Sequence, residues 1–499
     1  MKKVLLTGVA LLIAGGTVAP AFAADAVPGI TITGDARARY AYRSEEYFTT
    51  FGNTKGAANS QTNMDSRVRF NLTGMSAGGS YIKGRIRLMD NSMGDMSSDI
   101  SEINALRQNN LWADLAYFGI PFTKEITMEA GKYRSTYGPV GPANNFFYDD
   151  VNLTGAKGIV KIGDIEVNPF FEYVREGNNL TTSGSSDNNT ITATNDQLRD
   201  HDAIRMGAHG KVKINKAWTA GGMLGYQTDQ RDEAAINTVG NTVAATAYAA
   251  AYQRDIYPNG ITKNEGVFGT VYVNGKVDQF GLVGELSYTA AKLNGFNNWQ
   301  EDNNNNPSYT YAGVTSTVPT ASYTNIDMIG SKNDGFGGYV FPNYTMDKLN
   351  IGLNLGFTSN GFMPDRAFGF VMLGATDNSV ITAKQIGQDG NWFWIGLVPS
   401  YQISDSLKLT GNLVYANIGS NWSETNDGPG FVKSINQRSL TSAWELSAVM
   451  QYTISKGANV FFAAGYLDPS LKYVNETAAA TSMKDDATLG AYTRFELAF

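Results

Sequence analysis

Residues 30–43 read ITITGDARARYAYR. The even positions carry Ile30, Ile32, Gly34, Ala36, Ala38, Tyr40 and Tyr42, and the odd ones carry Thr31, Thr33, Asp35, Arg37, Arg39, Ala41 and Arg43. A period of two sends alternate side chains to opposite faces of a β-strand. One face is therefore oily and the other charged, as a strand requires when it stands between lipid and a watery lumen. The stretch MDSRVRFNLTG at 64–74 repeats the design, with Val68, Phe70 and Leu72 against Asp65, Arg67, Arg69 and Asn71. In YIKGRIRLMD at 81–90, Ile82, Ile86 and Leu88 oppose Lys83, Arg85 and Arg87.

The same alternation predicts strands over 30–44, 64–74, 81–90, 109–119, 125–133, 155–163, 165–175, 202–214, 217–228, 264–274, 279–290, 335–345, 348–358, 391–402, 406–417, 440–453, 458–467 and 486–499. That makes about 18 strands, with ~16 the other even count compatible with the pattern. Short turns such as Gly163-Asp164, Asn215-Lys216, 274–278 and 404–406 alternate with long stretches at 176–201, 229–263, 291–334 and 359–390. The expected fold is all-β: a transmembrane antiparallel up-and-down β-barrel with short periplasmic turns and long extracellular loops. The long stretches are rich in Asn, Gly, Thr and Ser, EDNNNNPS at 301–308 being the plainest, and read as solvated loops. Aromatics assigned to the lipid face fall near strand ends as an interfacial girdle: Tyr40, Tyr117, Tyr226, Tyr288, Phe357, Tyr401, Tyr415 and Tyr452. A soluble β-sandwich or β-solenoid would also alternate, but it leaves the asymmetry of the connections unexplained.

Residues 1–23 combine Lys2 and Lys3, an apolar run from Val4 to about Ala14, and small residues at Ala21 and Ala23. They read as a secretory signal peptide cut after Ala23, leaving 24–499 as one barrel domain. No later stretch reaches the ~18 to 20 apolar residues of a spanning helix. With 0 Cys, an exported chain has no disulfides and no thiolate metal or haem attachment site. A net charge of −7 and the lack of a polybasic run argue against nucleic acid as a partner. The chain closes on AYTRFELAF, with Phe495, Leu497 and Phe499 on one face of the last strand. Its terminal Phe resembles the signal that bacterial outer-membrane barrels present to their assembly machinery.

Together these features resemble a bacterial outer-membrane porin. The segments GDARARY, DSRVRFNL, WADLAYF and EAGKYRSTYGP, all within the first part of the chain, are similar to the alginate-export-like channel group. The resemblance implies outer-membrane lipid and the barrel assembly machinery as partners, and a homotrimer or monomer. It also implies that the third long loop, 131–154, which contains GKYRSTYGPVGPANNFFYDD, folds into the pore with Lys132, Tyr133, Arg134 and Tyr137 at a constriction.

Candidate functional residues come from the inward positions. Arg37, Arg39, Arg67, Arg69, Arg85 and Arg87, with Lys83 beside them and Arg494 across the closing seam, form a basic wall. Guanidinium groups pair well with carboxylate, sulfate or phosphate, and a wall of one sign concentrates the opposite ion. Asp35, Asp65, Asp114, Glu129 and Glu496 are the acids placed to pair with it, while Glu166, Glu172, Glu285 and Glu445 form an acidic side farther round. His201 and His209 have no nucleophile at a catalytic spacing, so no enzyme activity is expected. No cofactor or metal is expected; loop Asp and Asn could supply oxygen ligands to calcium, but without regular spacing. The functional expectation is a channel for small hydrophilic solutes, with anions or acidic sugars favoured. The alternative is a sheath whose lumen holds a partner such as a multihaem cytochrome.

Overall fold

The structure is a computed structural model. It describes residues 28–44, 61–92, 112–139, 144–147, 149–175, 203–229, 265–290, 293, 334–359, 391–419, 438–473 and 487–499, with 362, 364, 366–368, 370–374, 381 and 386. Residues 1–23, expected to be a signal peptide, lie outside the described residues, as do His201, the 301–308 stretch and most of the long connections.

Eighteen strands build the barrel: β1 (Gly29–Arg43), β2 (Gln61–Met75), β3 (Tyr81–Ser92), β4 (Trp112–Pro121), β5 (Ile126–Thr136), β7 (Asp149–Ile162), β8 (Ile165–Arg175), β9 (Ala203–Lys213), β10 (Trp218–Asp229), β11 (Gly266–Val277), β12 (Phe280–Thr289), β13 (Gly335–Met346), β14 (Leu349–Ser359), β16 (Asn391–Ser404), β17 (Leu407–Gly419), β18 (Arg438–Ser455), β19 (Ala458–Tyr473) and β20 (Thr488–Ala498). Two further short strands, β6 (Asn144–Asn145) and β15 (Arg366–Ala367), pair only with each other. Successive barrel strands pair antiparallel and β20 returns to β1, so the sheet is closed and has no free edge. The chain is thus an all-β, 18-stranded antiparallel barrel.

Every expected strand is present. The main shifts in extent are an earlier start for β7, at 149 instead of 155, and a later end for β19, at 473 instead of 467. The β11–β12 turn is the pair 278–279 and not 274–278. The two-residue turns at 278–279 and 347–348 open on a left-handed residue, Asp278 (φ 50°) and Asp347 (φ 49°), as favoured hairpin turns do. Short turns gather at one end and the long connections at the other. Ile32, Leu224, Leu286, Leu397 and Leu446 face outward and are exposed, forming an apolar band for lipid. Tyr344, Tyr401 and Tyr452 flank its short-turn edge, and Tyr226, Phe336 and Phe357 its long-loop edge. No helix among the described residues is long and apolar enough to cross a membrane.

One girdle assignment is overturned. The β3–β4 register slips so that Arg85 pairs with Leu115 and Ile86 with Ala113, leaving Asp114 as the extra residue of a β-bulge. An extra residue flips the facing of every residue after it in the strand. Tyr117 therefore turns into the lumen, its ring 6.4 Å from Tyr133, and Phe118 takes the exposed outer position.

At the seam, Gly34 and Phe499 exchange backbone hydrogen bonds, each N–H donating to the other's carbonyl at 3.0 Å. Phe495, Leu497 and Phe499 lie exposed on the outer face. The Phe499 ring covers Gly34 and meets Phe70 edge to face at 5.9 Å.

Candidate functional site

The inward faces of β1, β2 and β3 put like charges opposite each other, as with Arg37 and Arg67, an arrangement that needs counter-charge. Three aspartates supply it, each held by two arginines. Asp65 takes Arg39 at 2.6 Å and Arg37 at 3.8 Å; Asp35 takes Arg69 at 2.9 Å and Arg67 at 3.4 Å. Asp114 takes Arg85 at 2.7 Å and also Arg87. The bulge that carries Asp114 turns it toward both. Across the seam, Arg494 pairs with Glu496 at 3.1 Å and stacks on Phe461 at 4.1 Å. Lys83 lies over the Tyr81 ring at 4.8 Å and near Tyr117 at 6.0 Å. Among the described ion pairs, the arrangement is a network in which cations outnumber acids.

Beyond β4 the acids are tied individually. Glu129 accepts from the Tyr81 hydroxyl and pairs with Lys157 at 3.0 Å. Glu166 pairs with Lys211 at 3.0 Å. Glu172 accepts from both Tyr133 (2.9 Å) and Tyr137 (2.7 Å), and Glu285 from Thr270 (2.8 Å). Glu445 accepts from the backbone N–H of Val371 (2.8 Å) and Leu373 (2.7 Å) and from Ser447 Oγ (2.6 Å). The expected open acidic side is thereby corrected. Glu172, Glu285 and Glu445 are buried, and they hold hydroxyls and backbone in place instead of facing a water path. His209 is buried too, with Nε2 3.1 Å from the Tyr272 hydroxyl.

The third-loop expectation divides. β5 continues to Thr136, past the predicted 133, and its alternation leaves Lys132 and Arg134 on the exposed outer side. Those two residues do not belong to a constriction. Tyr133 and Tyr137 point inward onto Glu172, and Tyr137 stacks on Phe170 at 4.9 Å. Farther along, Phe146 reaches across the lumen to β13 and β16, its ring 5.2 Å from Tyr339 and 6.4 Å from Trp394.

A second inward segment is the one that sequence reasoning missed. The connection between β14 and β16, expected to be an external solvated loop, places Phe362, Phe368 and residues 370–373 in a single buried cluster with wall residues. Phe146 packs on Phe362 at 5.6 Å and on Phe368 at 6.0 Å, and β6 pairs with β15, so the two segments form one plug. Wall glycines make the sockets. A Cβ at Gly337 would meet the Phe362 ring at 2.3 Å, and one at Gly465 would meet Met372 at 2.7 Å. The signal was the apolar run AFGFVMLG at 367–374, which lacks strand alternation. A barrel this wide cannot fill its interior with wall side chains, so such a run can find its apolar surroundings inside. The plug packs mainly against β12 to β20. On β1 and β3 the side chains of Arg39, Arg87 and Asp35 keep 15%, 21% and 26% of their surface, while Arg37, Arg85 and Arg494 are buried.

Among the described residues, no group of His, Cys, Asp and Glu is arranged to hold a metal ion. The whole is a closed barrel of the membrane-spanning type, with an apolar plug in its lumen and a basic stretch of wall on β1 to β3. No protein-family model and no curated protein matches the sequence. Solved structures similar to it include OpdQ of Pseudomonas aeruginosa, at 10% identity and TM-score 0.46, covering 94% of this chain and 97% of that one. OprD of Pseudomonas aeruginosa has 9% identity and TM-score 0.44, with 96% and 98% covered. An anion-selective porin from Comamonas acidovorans has 9% identity and TM-score 0.39, with 95% and 100% covered. At these values the likeness reaches no side chain of the lumen.

Proposed function

We propose that the chain is a porin of the bacterial outer membrane, a water-filled channel for passive diffusion of small hydrophilic solutes in which the basic wall favours anions, acidic sugars included. The observation that carries this reading is the charge count on β1 to β4. Among the described ion pairs there, three aspartates are shared among six arginines, a surplus of positive charge within those pairs. The part of this wall that keeps solvent contact is at Asp35, Arg39, Arg69 and Arg87, where a surplus of one sign raises the local concentration of anions. The acidic-sugar form of the reading rests on the fit of guanidinium groups to carboxylates. The sheath reading is less favoured, because this chain's own residues occupy much of the lumen.

Replacing Arg39, Arg69 and Arg87 together by Gln, the three whose side chains keep the most solvent contact, tests it. The reversal potential across a salt gradient in a planar bilayer is expected to move toward cation preference, with folding retained. At molar salt the difference should fade, since screening shortens the reach of exposed charge to ~3 Å. An unchanged potential would return the channel to an unselective reading.

A further inference from the structure

Glu445 is fully buried, yet among the described residues no Arg or Lys pairs with it. Its carboxylate instead receives two backbone N–H groups two residues apart, from Val371 and Leu373, with the Ser447 hydroxyl as third donor. Asn412 on the neighbouring strand donates to Ser447 Oγ at 2.9 Å and fixes that hydroxyl. Converging backbone N–H groups form an anion-binding concavity, and here the anion comes from the barrel wall itself. Beside it, Met372 and Ile381 fill the space over Gly465 and Gly490, where a Cβ would stand 2.7 Å and 2.6 Å from them.

We propose that Glu445 is the positioning residue that latches the 370–374 segment against β18 to β20, and that this latch sets the size limit for solutes passing the basic wall. The size limit rests on the channel reading above; the latch does not. Two adjacent donors require a group that only accepts. A Gln at 445 would offer one acceptor oxygen and turn an N–H donor toward a second N–H. One backbone donor would then be buried without an acceptor, a cost relieved only if the segment moves toward water. Apolar packing opposes complete release, so the expected response is displacement of 370–374 within the lumen.

The protein has 0 Cys, so a single Leu373→Cys substitution reports on the latch. Leu373 is fully buried, and labelling of that cysteine by a water-soluble maleimide in reconstituted vesicles should be slow. Adding Glu445→Gln should accelerate it, and Ser447→Ala, a milder cut that keeps the carboxylate, should do so to a lesser degree. Equal labelling in all three folded, heat-modifiable proteins would overturn the latch. In bilayers, Glu445→Gln should raise single-channel conductance and admit larger neutral polymers. Faster labelling with an unchanged polymer cut-off would overturn the size-limiting role. A wild-type protein that does not conduct would instead refute the channel reading, with the labelling still judging the latch.

Discussion

Asp65 is a lumen residue tied to folding and, on the proposed reading, to permeation. Its carboxylate receives Arg39 Nε through both oxygens, at 2.8 and 2.6 Å, and also neutralises part of Arg37. Asp65→Asn keeps the shape and removes the charge, leaving two guanidinium groups with a weaker acceptor. Stability should fall by about 1–3 kcal/mol. Anion preference should rise, the reverse of the effect expected for the arginine substitutions. Thermal unfolding and reversal potential measured on the same variant check both; a loss of anion preference would show that Asp65 itself belongs to the conducting surface. The identity of these residues was legible from alternation, but the sharing of each Asp by two arginines was not. It depends on register and on the bulge at Asp114, which slip by single residues without altering the pattern of hydrophobicity.

At the scale of elements, the seam between β1 and β20 joins parts of the chain most distant in sequence. Gly34 permits it because the Phe499 ring occupies the space a side chain would take. A Cβ there would stand 2.4 Å from that ring and 2.8 Å from the Arg69 carbonyl oxygen. Gly34→Val should therefore push Phe499 off the seam at about 1–3 kcal/mol, the usual cost of overpacking. The readout is a lower temperature for the heat-induced mobility shift on gels. Deleting Phe499 removes its backbone bonds to Gly34 as well as the ring and should lower the yield of folded barrel. Full yield of heat-modifiable protein from that deletion would count against the seam as a determinant of assembly.

For the whole molecule, eight short turns at one end and nine longer connections at the other give a testable orientation. If the long connections face outward from the cell, protease added to intact cells should cut within 230–265 or 290–334 and spare Asn215 and Asp405. Cleavage at either turn would reverse the orientation. The plug's aromatic rings lean on β13 and β16, so the lumen is narrowed there by residues distant in sequence from the wall they touch.

Sequence alone determined the strands, their number to within one hairpin and, outside the bulge at Asp114, the face most side chains take, because in a membrane barrel every strand meets lipid on one side and water on the other. That contrast writes a period of two into each segment. It also placed the arginine wall, since inward positions come from the same count. Only the tertiary structure decided which acids meet which arginines, that Lys132 and Arg134 face away from the lumen, and that AFGFVMLG turns inside. These outcomes depend on bulges, on strands running a few residues farther, and on an apolar run finding glycine sockets and the Glu445 carboxylate on strands far along the chain. Such encounters are set by closure of the barrel, and a local pattern carries no record of them.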